Sequence, residues 1–187
     1  PEIILFDEPD SGLDPVRVAY LNQLIVDLNA QTDSTFLIVT HDIGTARTVP
    51  DNLGLLFRRE LVMFGPREVL LTSEEAVVKQ FLNGRREGPI GMSEEKDAAQ
   101  VAAELAAMTD DEPPAPGTGP KGASGTGVPP QLLPSPGLPE RKAAGRRQER
   151  VMQMLHTLPE KAQAAVRAAL DEEHAQYESA HLQASVS

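Results

Sequence analysis

Two short apolar runs, each ending abruptly in charge, constrain this chain more than any other feature. Ile3-Ile4-Leu5-Phe6 leads into Asp7-Glu8, and Thr35-Phe36-Leu37-Ile38-Val39-Thr40 leads into His41-Asp42. Apolar runs of this length without alternation, rich in β-branched and aromatic residues, read as strands buried on both faces. Between them Asp14-Pro15 supplies an N-cap followed by proline at the first helical position. Val16, Tyr20, Leu21, Leu24, Ile25 and Leu28 then recur at helical spacing, which predicts a helix over about residues 15–30. Strand, helix and strand in that order imply a right-handed crossover and a parallel sheet, hence an α/β fold. Both strands then bring their charged ends to one sheet edge, where open α/β sheets bind their ligands.

The pattern continues to about residue 92. Asp42 can cap a short helix running through Val49. Leu53–Arg58 and Leu61–Phe64 read as two short strands around a turn at Arg59-Glu60. Ser73–Asn83 reads as a helix that Gly84 stops.

Beyond this point the composition changes. Residues 93–109 fit a weak, alanine-rich helix. Residues 110–140 contain nine prolines and six glycines and read as a disordered linker, unable to bury enough apolar surface to offset chain entropy. Residues 141–182 become helical again as an amphipathic tail. Val151, Met154, Leu155 and Leu158 form one stripe, and Ala162, Val166, Ala169 and Leu170 continue it. Thr157 and Glu160 fit a capping box, so Pro159 separates two helices. A stripe built so largely from alanine predicts only modest contacts for the tail. The acidic cluster Asp171-Glu172-Glu173 and the pairs Arg58-Arg59 and Arg85-Arg86 read as solvated, and Met152 and Met154 as packing residues. His156, His174 and His181 share no metal-binding spacing.

The absence of cysteine excludes disulfides, thiolate catalysis and cysteine-ligated zinc. A net charge of −11 argues against a phosphate-backbone groove, so no nucleic-acid partner is expected. No run reaches the roughly 20 apolar residues of a membrane span.

The chemistry concentrates at the shared sheet edge. Asp7 and Glu8 are adjacent, so strand alternation aims them differently. One can hold Mg²⁺ through water while the other orients or deprotonates a water for attack on a nucleotide phosphate. The same residues also fit an exposed acidic turn after a strand. A histidine at a strand end is commonly solvated or capping, but His41 brought to the edge of a carboxylate pair can donate a hydrogen bond to a terminal phosphate.

Taken with Pro9-Asp10-Ser11-Gly12-Leu13-Asp14-Pro15, these residues carry a family resemblance. IILFDEP resembles the Walker B segment of ATP-binding-cassette (ABC) ATPases, SGLD their D-loop and VTHD their switch histidine. The resemblance implies that Asp7 supports Mg²⁺, that Glu8 is the catalytic base and that His41 contacts the γ-phosphate of ATP. It places Ser11, Gly12 and Asp14 in a loop crossing to a second copy, in a head-to-tail pair with ATP between them. Val77-Val78-Lys79-Gln80-Phe81-Leu82-Asn83-Gly84, then Glu87-Gly88-Pro89-Ile90, resembles the ATPase subunits of Mce-type (Mla-like) lipid or sterol transporters, in their actinobacterial branch. That implies two integral membrane permeases as partners, MCE-domain proteins reached through them, and a cytoplasmic subunit peripheral to the inner face of the membrane.

Asp10 stands where many members of the family carry an uncharged residue, a departure that touches none of this chemistry. No G-x-x-x-x-G-K-[ST] phosphate loop, LSGGQ-like signature or Q-loop glutamine occurs. The chain therefore resembles the C-terminal half of a P-loop ABC ATPase domain, residues 1–92, followed by linker and helices. Alone it is expected to bind ATP poorly, to hydrolyse none and to be unstable as an isolated domain. Two alternatives remain: a soluble ABC-type ATPase of DNA repair or chromosome maintenance, and a non-catalytic ATPase remnant acting as an interaction protein.

Overall fold

The computed structural model describes residues 1–85, 88–91 and 127–184. The expected helix at 93–109, the first part of the expected linker and Arg86 lie outside the described residues.

Strand β1 (Ile3–Asp7) pairs in parallel with β2 (Thr35–Val39), in register from Ile3 opposite Thr35 to Asp7 opposite Val39. Helix α1 (Pro15–Thr32) connects them. Its start is fixed by Asp14, whose Oδ1 accepts from the Val16 and Arg17 amides at 3.0 and 3.1 Å. Ile25 and Val26 of α1 pack with Phe36, Ile38 and Val49 into one core.

The strands bury only alternate residues. Ile3 and Leu5 are 62% and 71% exposed, and Leu37 and Val39 share their face. On α1, Val16, Tyr20, Leu24 and Leu28 also point outward. The apolar stripe expected to form the helix's buried side is thus mostly its exposed side. A two-stranded layer covers one face of a sequence patterned for burial on both.

Helix α2 (Ile43–Thr48) begins where Asp42 Oδ1 accepts from the Thr45 amide at 2.6 Å. The antiparallel strands β3 (Asn52–Phe57) and β4 (Glu60–Pro66) turn at Arg58-Arg59, one residue earlier than expected. Both turn residues have positive φ, 50° and 66°, the backbone twist that suits a two-residue hairpin. Helices α3 (Arg67–Leu71) and α4 (Ala76–Leu82) follow. The latter starts at Ala76 rather than Ser73, because the Glu75 carboxylate caps the Val77 and Val78 amides. Ala46, Leu70, Val78 and Leu82 form the second core, with Leu53, Leu55 and Met63 of the hairpin against it.

The tail departs furthest from expectation. Residues 127–140 are not a loose tether; they run without helix or strand, and bonds from Gly127 to Ser135 hold them to the α/β part. The Gln131 side-chain amide donates to Val49 O, Pro50 O and Asp51 Oδ1 at 2.9–3.1 Å. Leu132 N–H donates to Thr48 O at 2.8 Å, and the Leu132 side chain joins the first core. Composition misled because prolines bring a segment partly ordered to its binding surface, which lowers the entropy cost of fixing it. Its backbone needs no ladder where side chains of another element satisfy it.

Helix α5 (Lys142–Met154), a 3₁₀ turn at Leu155–Thr157 and helix α6 (Glu160–Ala184) complete the tail. Pro159 does separate two helices, but the Thr157 hydroxyl donates back to Met154 O instead of forming a capping box. Val151, Leu155 and Val166 form a small core of their own. The grip of α5 and α6 on the rest is mainly polar. Arg67 and Glu68 of α3, Arg147 of α5 and Glu173 of α6 form a buried cluster, none more than 1% exposed. Glu173 is thus not part of a solvent face. Arg85 is buried as well. A contact predicted as modest from its alanines is built from four charges instead.

Candidate functional site

The register of β1 and β2 brings two turns together at their carboxyl ends. Just past Asp7, the Glu8 amide donates to Val39 O at 2.8 Å, extending the ladder by one bond. Glu8 then adopts φ of 44°, a left-handed conformation unusual for a residue with a Cβ and concentrated at functional sites. Its Oε1 lies 3.2 Å from His41 Nδ1. Both side chains are open to solvent, 49% exposed for Glu8 and 67% for His41. In the tautomer carrying its proton on Nδ1, the imidazole donates to the carboxylate and presents Nε2 outward.

Asp7 is exposed at the end of β1. Among the described residues no three acidic or histidine side chains gather into a metal cage. A lone exposed carboxylate fits Mg²⁺, which keeps most of its waters and completes its shell from substrate phosphates.

Ser11, Gly12 and Asp14 lie on the loop between β1 and α1, all exposed. Ser11 N–H donates to Glu8 O at 3.0 Å, and Gly12 takes φ of 75° with nothing within 4 Å of the position a Cβ would occupy. Asp14 is engaged as the α1 cap and pairs with Arg17 at 3.3 Å. The structure therefore brings Asp7, Glu8 and His41 to one edge and sets Ser11, Gly12 and Asp14 beside them on an open loop.

Asp10, which by resemblance touches none of this chemistry, is buried against Thr40, the neighbour of His41. Asp10 is only 6% exposed, and its Oδ2 accepts from the Thr40 hydroxyl at 2.5 Å. Thr40 in turn accepts from the Asp42 amide at 2.9 Å. A carboxylate in a tight turn two residues beyond Glu8, facing a strand that ends in threonine, was the available signal.

No family model matches the chain. Individual relatives do. The probable ribonucleotide transport ATP-binding protein mkl of Mycobacterium tuberculosis is 66% identical over 170 residues, covering 89% of this chain and 45% of that protein. Its counterpart in Mycobacterium leprae is 64% identical over 167 residues, 89% of this chain and 46% of the relative. The intermembrane phospholipid transport system ATP-binding protein MlaF of Escherichia coli is 33% identical over 90 residues, 48% of this chain and 34% of that protein. The chain spans about half the length of the mycobacterial relatives. Likeness at this level, across nearly the whole chain, makes it a homologue of ABC-type ATP-binding proteins.

Proposed function

We propose that this chain supplies the hydrolytic edge of the ATP-binding subunit of an ABC transporter. The observation that carries the proposal is the Glu8–His41 pair at the joined ends of two parallel strands, 3.2 Å apart and open to a ligand. Glu8 is the base that takes a proton from the attacking water, and its strained backbone holds the carboxylate toward that water rather than along the strand. His41 orients Glu8 through Nδ1 and donates from Nε2 to the γ-phosphate when protonated there. Asp7 would hold Mg²⁺, and the ion would supply positive charge to offset the negative charge on the β and γ phosphates. Ser11, Gly12 and Asp14 face a second copy of the subunit across the nucleotide, and Gly12 leaves that approach unobstructed.

The whole subunit acts against integral membrane permeases on the cytoplasmic face of the membrane. No helix among the described residues is long and apolar enough to cross a membrane. Lipid or sterol import of the Mce type, with MCE-domain proteins beyond the permeases, is the finer reading. It is supported by likeness to a phospholipid-transport relative and by the QFLNG segment. There Gln80 grips Ile90 from both sides, donating to its carbonyl at 2.9 Å and accepting from its amide at 2.6 Å.

The test is Glu8→Gln in the full-length ATPase. The amide keeps the shape and loses the base, so ATP is bound and retained while phosphate release falls by at least about a hundredfold. Phosphate release at the unaltered rate would refute the role given to Glu8.

A further inference from the structure

We propose that Asp10 is a positioning residue for the Glu8–His41 pair and acts through the Thr40 hydroxyl. The proposal rests on the reading of Glu8 and His41 given above.

Three hydrogen bonds join the turn after β1 to the turn after β2. One is the backbone bond from Glu8 N–H to Val39 O, which fixes where Glu8 begins but not where His41 goes. The second is the Glu8–His41 contact itself, between side chains half or more exposed, which water can replace. The third, Thr40 to Asp10, is the one anchored on a buried side chain. Its geometry reaches both neighbours of His41. By donating its single proton to Asp10, the Thr40 hydroxyl is turned so that a lone pair meets the Asp42 amide. Asp42 is itself held as the cap of α2 by the Thr45 amide. His41 thus sits between two residues tied down on either side, although its own ring packs against little.

The same residue controls the other turn. Asp10 O accepts from Leu13 N–H at 3.1 Å, closing the loop that carries Ser11 and Gly12. The Asp10 backbone thus closes the turn after Glu8, while its carboxylate, through Thr40, ties that turn to the one bearing His41. The arrangement is costly, because Asp10 Oδ1 is buried with no hydrogen-bond partner among the described residues. Buried polar atoms are nearly always satisfied, and an exception calls for a compensating use. Fixing a base and its orienting histidine to within an ångström is such a use, since misplacement on that scale costs up to about a hundredfold in rate.

The experiment uses the full-length ATPase, with steady-state kinetics on variants whose melting temperature shows them folded. Hydrolysis by the unaltered protein and its loss in Glu8→Gln test the underlying reading separately. Asp10→Ala and Thr40→Val should each lower kcat about tenfold or more, with the KM for ATP changed less than about twofold. The double variant should be no slower than the slower single, because both remove one link. Asp10→Asn and Thr40→Ser keep an acceptor and a hydroxyl, and should restore kcat to within about threefold even where the harsher changes prevent folding. Unchanged kcat in Asp10→Ala, losses that multiply in the double variant, a loss confined to KM, or conservative variants as slow as the harsh ones would each overturn the proposal.

Discussion

Replacing Glu173 by alanine removes one of two negative charges from a cluster that holds two arginines. The Glu173 carboxylate accepts from Arg67 at 3.1 Å, from Arg147 at 2.5 and 3.5 Å, from Gln148 at 3.3 Å and from the Gln131 amide at 2.6 Å. Burial draws the Arg67 pKa down, and Glu68 and Glu173 beside it work in the opposite direction. Without Glu173, Arg67 and Arg147 would share Glu68 alone, leaving one uncompensated positive charge in the interior. Removing one partner of a buried pair costs about 3–5 kcal/mol, and the orphaned Gln131 amide adds on the order of 1 kcal/mol. At about 1.4 kcal/mol per decade, the lower end already exceeds a hundredfold in an opening equilibrium. The assay is hydrogen exchange at the amides of α5 and α6 in the full-length protein, where Glu173→Ala should accelerate exchange about a thousandfold. Arg147→Met leaves the opposite imbalance and should do the same. Combining Arg147→Met with Glu173→Leu restores neutrality around the remaining Arg67–Glu68 pair, so the double variant should open less readily than the two single costs predict together. Acceleration below tenfold in Glu173→Ala, or costs that simply add in the double variant, would refute the view that this cluster fastens the tail.

Acid should loosen the extended segment at Ser135. Burial alone raises the Asp27 pKa, but bonds from the Ser135 hydroxyl, the Ser135 amide and Gln23 outweigh it and hold the pKa below its ordinary 3.8. That stabilisation is full above pH 3.8 and is lost as pH falls through the lower folded value, so exchange at the Ser135 amide should rise there in the unaltered protein and be much less pH-dependent in Asp27→Asn. Gly88→Ala should destabilise by about 2 kcal/mol in chemical denaturation. At φ of 139° its Cβ would meet the Gln80 side chain at 2.6 Å and force it away from Ile90; an unchanged midpoint would show that Gln80 yields freely.

Local signals were readable where a residue acts on its immediate neighbours. Asp14-Pro15 marked the start of α1 to the residue, and Asp42 marked that of α2. The charged ends of β1 and β2 pointed to one sheet edge, because a parallel pair joined by a single helix must align its carboxyl ends. That sufficed to bring Asp7, Glu8 and His41 together on paper. Asp10 was not readable in this way, because its importance depends on which atom of Thr40 it meets, thirty residues along the chain.

Sequence by itself therefore determined the strand–helix–strand unit, its caps and the residue types at its edge, all set by backbone sterics and spacings of a few residues. Tertiary structure alone decided which apolar faces are covered, why residues 127–140 are ordered and how the tail is held. Arg67 and Glu68 are far in sequence from Arg147 and Glu173, and each alone is a charged residue that belongs in water. Only their mutual approach cancels the charge and makes burial tolerable, and no local pattern records a partner that distant.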